Sequence, residues 1–445
     1  MRNRILVTGL AMVLIAAACS NAGSSKASPT TTVPSGGPTS TVSAGDLHKN
    51  VPVTAPGVSS NEIDVATIVS KTNNPTGASY GPLVDGVRAY FQMVNDHGGI
   101  YGRKLVVKYD HDDQFGQNEQ TVQQSLAQDH AFATFVATTL FTGSALLARA
   151  QQPTFVWNIN PEFAGHPTLF ADVPAICFTC AGHALPYIAK QLKATKVGVL
   201  AYGIAQQSKD CATGIKNSFT KYPTAQIAYF NDGLAYAQQL GPEVTAMKQK
   251  GVTFVMTCVD LQESFTLAKE MQKQGMKAAQ DLPNGYDPDF VAKNAALMEG
   301  GIVGVMFVAL QVTPQIQEVQ NLYKYTAEIG VPVRELTAYG WILASELYQG
   351  LAGAGPNFSQ AAVVNWLNRQ TALGDNGFIT PINWTTGHTD PEKNPQALSP
   401  QECGNSVIVQ NGKFVPYLST PDKPWTCFNR NDPTVDNPKH VSFVP

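Results

Sequence analysis

Ile63-Asp64-Val65-Ala66-Thr67-Ile68-Val69-Ser70 is a short β-branched and apolar run bounded by polar residues, the pattern of a strand. Residues 80–96 follow, with Val84, Val87, Phe91 and Val94 near i, i+3, i+7 and i+10, which is one apolar face of a helix. Gly98-Gly99 stops that helix. Residues 105–109 make a second strand. Outward from there the alternation continues: helix 118–129, strand 133–138, helix 144–151, strand 154–158. Strands and helices alternating through short connections predict a parallel, doubly wound sheet.

The pattern restarts at Lys196. Residues 196–202, 226–230, 253–258 and 279–284 read as strands, and 208–220, 236–250 and 262–275 as the helices between them. Two successive units of one kind predict an α/β fold of two doubly wound parallel-sheet lobes joined by crossovers, with a ligand cleft between them. In such sheets ligands sit beyond the C-terminal strand ends. Residues 301–306 and a helix at 335–351 lead back towards the first lobe. Beyond residue 374 the chain is turn-rich. Asn411-Gly412, the preferred pair of a type I′ turn, joins strands 406–410 and 413–417 into a hairpin.

The chain has 445 residues, with 30 Lys+Arg against 33 Asp+Glu. A net charge of −3 and no long basic run argue against a nucleic-acid partner, which needs a basic face. Apolar residues make up 43%, enough for a sizeable core, and no apolar run after residue 20 is long enough to span a bilayer.

The N-terminus is an address. Met1-Arg2-Asn3-Arg4 precedes an almost unbroken apolar run over 5–18, the layout of a secretory signal peptide. Ile15-Ala16-Ala17-Ala18-Cys19-Ser20 resembles a bacterial lipobox, with Ala16 where Leu is more usual. Lipidation of Cys19 is expected; ordinary cleavage near Ala18 is the alternative. The Ser-, Thr-, Gly- and Pro-rich stretch up to residue 60 buries too little apolar area to offset its chain entropy, and reads as a flexible tether.

Six cysteines remain: Cys177, Cys180, Cys211, Cys258, Cys403 and Cys427. An even number in an oxidising compartment predicts up to three disulfides, with 15 conceivable pairings. The expected set is Cys177–Cys180, Cys211–Cys258 and Cys403–Cys427. Cys177-Phe178-Thr179-Cys180 also has the spacing of a redox motif or half a zinc site, but no second such motif accompanies it.

Gly77-Ala78-Ser79-Tyr80-Gly81, then Asn95-Asp96-His97-Gly98-Gly99-Ile100-Tyr101-Gly102-Arg103-Lys104-Leu105, then the acidic strand end Asp110-His111-Asp112-Asp113, resembles the type I periplasmic binding proteins. These are the extracytoplasmic receptors of branched-chain amino-acid ABC transporters. The resemblance covers roughly residues 62–390 and is specific over the first part of the body. It implies two α/β lobes joined by three crossovers, closing on a small molecule.

It also implies a set of binding positions: Tyr80 in the first-helix loop, Thr138-Thr139 after the third strand, and Asn158 and Asn160 after the fourth, with Trp157 as an apolar wall. In the second lobe it points to Asp260 and to the loop carrying Asn284 and Tyr286. Amino-acid binders carry a Glu for the ligand ammonium where this chain has Asn284. The loop 203–207 also lacks the Tyr often found there. Each position has an ordinary alternative. Tyr80 and Trp157 suit a core, Thr138 and Thr139 a strand end, and Asn284 and Tyr286 a turn. Asp260 suits a helix N-cap.

No GxSxG, HExxH or GxxxxGK[ST] motif occurs, so no enzyme and no cofactor is expected. Asp110 to Asp113 is the densest metal-like cluster, but consecutive strand residues face opposite ways, so no metal site is expected. The expected organisation is signal peptide 1–18, tether 19–60, lobe 1 from 61–178 plus 309–378, lobe 2 from 179–308 plus 379–430, and a tail 431–445. The expected function is a lipid-anchored monomeric receptor on the outer face of the membrane. It delivers a small polar ligand, an amino acid or an amide or acid relative, to an ABC permease. A lipoprotein that signals by lobe closure without transport is the alternative.

Overall fold

The computed structural model describes residues 46–311 and 316–442. The expected signal peptide, Cys19 and the tether as far as residue 45 lie outside the described residues. Among those described, no helix is long and apolar enough to cross a membrane.

The first lobe is built on β1 (Glu62–Val69), β2 (Lys104–Asp112), β3 (Ala133–Ala137), β4 (Thr154–Val156) and β5 (Leu169–Ala171). All pair in parallel, in the order β2-β1-β3-β4-β5. The crossovers carry α1 (Pro82–Asp96), α2 (Asn118–Gln128) and α3 (Ser144–Ala150). In the second lobe, α4 (Ala184–Gln191) leads into β6 (Lys196–Tyr202), β7 (Gln226–Leu234), β8 (Phe254–Cys258) and β9 (Ala279–Gln280). These strands are also parallel, ordered β7-β6-β8-β9, with α5 (Gln206–Lys221), α6 (Gly241–Lys250) and α7 (Leu261–Lys273) between them. Both sheets therefore switch direction at the same place, between their first and third strands, where a crevice opens beyond the strand ends.

After α8 (Pro288–Lys293) and α9 (Ala295–Met298), the chain forms β10 (Ile302–Val305). This strand does not join the first sheet. It pairs antiparallel with β11 (Gln401–Gln410) in a third sheet completed by β12 (Lys413–Tyr417), β13 (Trp425–Asn429) and β14 (Lys439–Val441). A parallel bridge between Asp281 and Ile302 ties this sheet to the second lobe. The β11–β12 hairpin turns at Asn411 (φ 52°) and Gly412 (φ 72°), as that residue pair demands. Residues 439–441, expected as tail, are strand paired to β13.

Helices α10 (Gln317–Glu328) and α11 (Glu335–Ala354) return to the first lobe, and α11 lies buried along α1. The approach is close because both contact residues are glycines. A Cβ on Gly86 would lie 2.0 Å from the Thr337 carbonyl oxygen, and one on Gly340 would lie 2.0 Å from that of Leu83. The lobes are joined by three passages, between β5 and α4, between β10 and α10, and from residue 379 to β11. The last two pair through a Phe307–Ile379 bridge.

The described end of the expected tether, residues 46–60, is packed rather than free. Leu47 is buried, and the buried Arg103 guanidinium donates to the carbonyls of Val51, Ser59 and Tyr101. The glycine-rich turn that follows α1 makes this possible. Gly99 has φ 72° and lies so near the Arg103 carbonyl that a Cβ would meet its oxygen at 2.0 Å. The composition of 46–60 hid this, because few side chains of the segment are apolar; Leu47, Val53, Ala55 and Val58 pack on the core, and Arg103 holds the main chain.

The disulfides pair Cys177–Cys180, Cys211–Cys258 and Cys403–Cys427, as expected. The residues of the acidic strand end disperse. Asp110 meets Lys71 and Arg88, His111 meets Asp129, Asp112 accepts from Lys71 and Thr72, and Asp113 accepts from Ser70 and Asn118. Among the described residues no group of three or more His, Cys, Asp or Glu is arranged to hold a metal ion.

Candidate functional site

The C-terminal strand ends of the two lobes face each other across a cavity of about 200 Å³. From the first lobe come Asn74, Tyr80, Phe115, Thr139 and Ile159; from the second come Tyr202, Gln207, Tyr236, Asp260 and Asn284. Each follows or ends a strand. Asn74 and Tyr80 come after β1, Phe115 after β2 and Thr139 after β3. Tyr202 ends β6, Tyr236 follows β7, and Asp260 follows β8.

Tyr80 is buried at the entrance to α1, its hydroxyl 2.8 Å from that of Thr139 and its ring edge-on to Trp157 at 5.2 Å. Burial raises its phenol pKa above the ordinary value, against the opposing effect of the Thr139 bond. On the facing wall Tyr202 donates to Asp260 Oδ2 at 3.2 Å. The other oxygen of Asp260 caps α7, accepting from the main-chain N–H of Gln262 (2.9 Å) and Glu263 (3.1 Å). Asp260 thus holds both positions weighed for it: it is an N-cap and it lines the cleft. Its charge is felt nearby. Burial, then Asp260, pushes Tyr236 up to about 12 and Glu263 up to about 7. Tyr236 stacks at a tilt on Tyr202 (4.4 Å) and meets Phe115 of the first lobe edge-on (5.4 Å). The Tyr236 hydroxyl is buried without a hydrogen-bond partner.

Four of the nine expected positions line the cavity: Tyr80, Thr139, Asp260 and Asn284. The other five do not. Thr138 is buried against Ser70, and Asn160 spends its amide on the Thr138 carbonyl. Asn158 holds the carbonyls of Val173 and Pro174 at the first passage between lobes. Trp157 stands behind Tyr80, stacked on Tyr339, and Tyr286 is buried against Phe414. The loop 203–207 does lack a tyrosine, but Tyr202, the residue just before it, supplies one. Phe115, Tyr202, Gln207 and Tyr236 were missed as wall residues. Their signal was position alone, each at or just past a C-terminal strand end.

Asn284 has a left-handed backbone, φ 53°. Asn tolerates that conformation where most residues are strained. The departure from Glu therefore has a backbone reason as well as a chemical one.

A larger cavity, about 710 Å³, lies in the second lobe among Met271, Met276, Leu282, Leu297 and Ile408. It lies on the second lobe alone, lined by Thr253 just before β8, both residues of β9 and Ile408 of β11. The interlobe cavity, with its convergent polar groups, is the candidate site.

A family model described as "Periplasmic binding protein" matches residues 62–394. The chain belongs to the periplasmic binding protein family. No curated protein matches it. Among solved structures it resembles a fatty acid ABC transporter substrate-binding protein from Thermomonospora curvata, at 16% identity over 84% of this chain and 94% of that one (TM-score 0.64). It also resembles a branched-chain amino acid ABC transporter protein from Thermus thermophilus with bound valine (14%, 83% and 98%, 0.65). A third is an ABC transporter solute-binding protein from R. palustris in complex with 4-hydroxybenzoate (14%, 84% and 98%, 0.65). At these identities the likeness is one of fold, and periplasmic binding proteins of this fold hold chemically different ligands.

Proposed function

We propose that this periplasmic binding protein is a lipid-anchored extracytoplasmic receptor, tethered through Cys19, that captures a small solute between its lobes and delivers it to an ABC permease. The observation that carries the proposal is the cavity shared by two sets of strand ends and bridged by Gln207 Nε2 to the Thr139 carbonyl at 2.6 Å. A solute that touches both lobes only when they are together favours the closed state by its difference in affinity. The cavity of about 200 Å³ suits a small metabolite.

Contacts would come from Tyr80 and Thr139 on one lobe and Asp260, Asn284 and Tyr236 on the other. One chain supplies both walls, so capture needs no second copy. Deleting the gene should abolish uptake of one small solute, and Cys19→Ala should release the protein from the membrane. Normal uptake of every solute in the deletion strain would refute delivery, and retention of the variant would refute the anchor. Unchanged affinity for the transported solute in Tyr80→Ala/Thr139→Ala would refute the cleft.

A further inference from the structure

The cavity has a sign. Among the described residues that line it there is no Lys, Arg or His, and Asp260 is the one carboxylate. Five aromatic rings stand in the wall beside it: Tyr80, Phe115, Phe178, Tyr202 and Tyr236. These rings are not isolated. Tyr236 touches both Phe115 and Tyr202, so the aromatic surface runs unbroken from one lobe to the other.

We infer that the solute is a small organic cation, a protonated amine whose ammonium group lies between Asp260 and the rings of Tyr80, Phe115, Tyr202 and Tyr236. This rests on the receptor function proposed above and adds its ligand class. Three possible net charges can be compared. An anion would enter a closed site holding a fixed negative charge and no basic side chain, and an unpaired buried charge is costly. A neutral apolar molecule would strip water from Asp260 and return nothing for it. A cation supplies the missing counter-charge, and aromatic rings attract it electrostatically when it lies within about 6 Å of a ring centroid.

The hydrogen-bonding inventory agrees. Asp260 Oδ1 is taken up by two main-chain N–H groups of α7, whereas Oδ2 accepts only from Tyr202. A carboxylate oxygen has a further lone pair to offer. Tyr236, whose hydroxyl is buried without a hydrogen-bond partner, stands on the same wall. Asn284 lines the cavity without adding a charge. An ammonium group donates to the free lone pair of Asp260.

Calorimetric titration of the purified protein at neutral pH with four probes on the same carbon chain tests this: butylamine, 1-butanol, butyrate and 2-aminobutyrate. Butylamine should bind at least about tenfold more tightly than 1-butanol. Asp260→Asn keeps an N-cap residue for α7 but removes the charge, and should abolish that preference. Tyr236→Leu should reduce the preference in the same way, and serves if Asp260→Asn does not fold. Butanol, butyrate or 2-aminobutyrate binding as tightly as butylamine would overturn the cation, and so would silence with butylamine. Closure on any of the other three would leave the receptor itself standing. Failure of the receptor would instead appear as undiminished uptake in the deletion strain.

Discussion

Gln207, at the start of α5 in the second lobe, donates its side-chain amide to the main-chain carbonyl of Thr139 in the first lobe at 2.6 Å. Both residues line the cavity. The contact exists only when the lobes are together, so it adds to the closed state and not to the stability of either lobe.

Gln207→Ala should therefore weaken ligand binding and leave the ligand-free melting temperature unchanged. One hydrogen bond of about 1 kcal/mol corresponds to a loss of roughly fivefold in affinity. Calorimetry and melting on the same samples separate the two. A lowered melting temperature with unchanged affinity would place Gln207 in lobe stability instead.

The Cys211–Cys258 disulfide closes 47 residues and joins α5 to the end of β8, at the rim of the cavity. Chain entropy for a loop of that length gives about 4 kcal/mol as an upper expectation. Replacing both cysteines by Ala should lower unfolding stability in denaturant by about 2–4 kcal/mol. The Cys177–Cys180 staple closes only three residues and should matter much less. Equal effects of the two would count against the loop-entropy account.

Asp172 and Glu335 are buried carboxyls near the passages between lobes. Burial raises Asp172 to about 7 and Glu335 to about 8, with the main-chain bond from Tyr286 opposing the shift of Glu335. In the unfolded chain such groups titrate near about pH 4. Between these values the folded state holds more protons than the unfolded one, so stability falls as pH rises. The protein should melt at its highest temperature in mild acid and lose stability progressively towards about pH 8. Glu335→Gln should flatten part of that slope. Stability that rises with pH across this range would contradict the burial of these carboxyls.

Asn284 sits at φ 53°. Asn284→Ala should cost about 1 kcal/mol from the backbone alone, whereas Asn284→Gly should cost little. Chemical denaturation without ligand reads this directly. An equal cost for both would mean that the Asn side chain, not its backbone, matters there.

The two repeated α/β units were legible in the chain alone. Apolar periodicity reports which residues face a core, and a doubly wound order follows from short right-handed crossovers. The sequence also carried the Asn411-Gly412 hairpin, and Tyr80, Thr139, Asp260 and Asn284 as cleft positions. It could not reveal that residues 46–60 are packed, because their few apolar side chains and the Arg103 guanidinium that holds their carbonyls meet only in the fold. Nor could it tell Thr138 from Thr139, since adjacent residues at a strand end point opposite ways and only the sheet fixes which one faces the cleft.

The sign and the walls of the cavity follow from packing between distant elements. Phe115, Tyr202 and Tyr236 lie far apart in the chain and in different crossovers, and nothing local distinguishes them from core aromatics. They become one surface because both sheets switch direction at their first and third strands and are set with those ends facing. The same arrangement leaves Asp260 as the cavity's one carboxylate. Periodicity reads the burial of each element on its own; which polar groups share one enclosed volume depends on how separate elements are placed, and that is settled by packing between lobes.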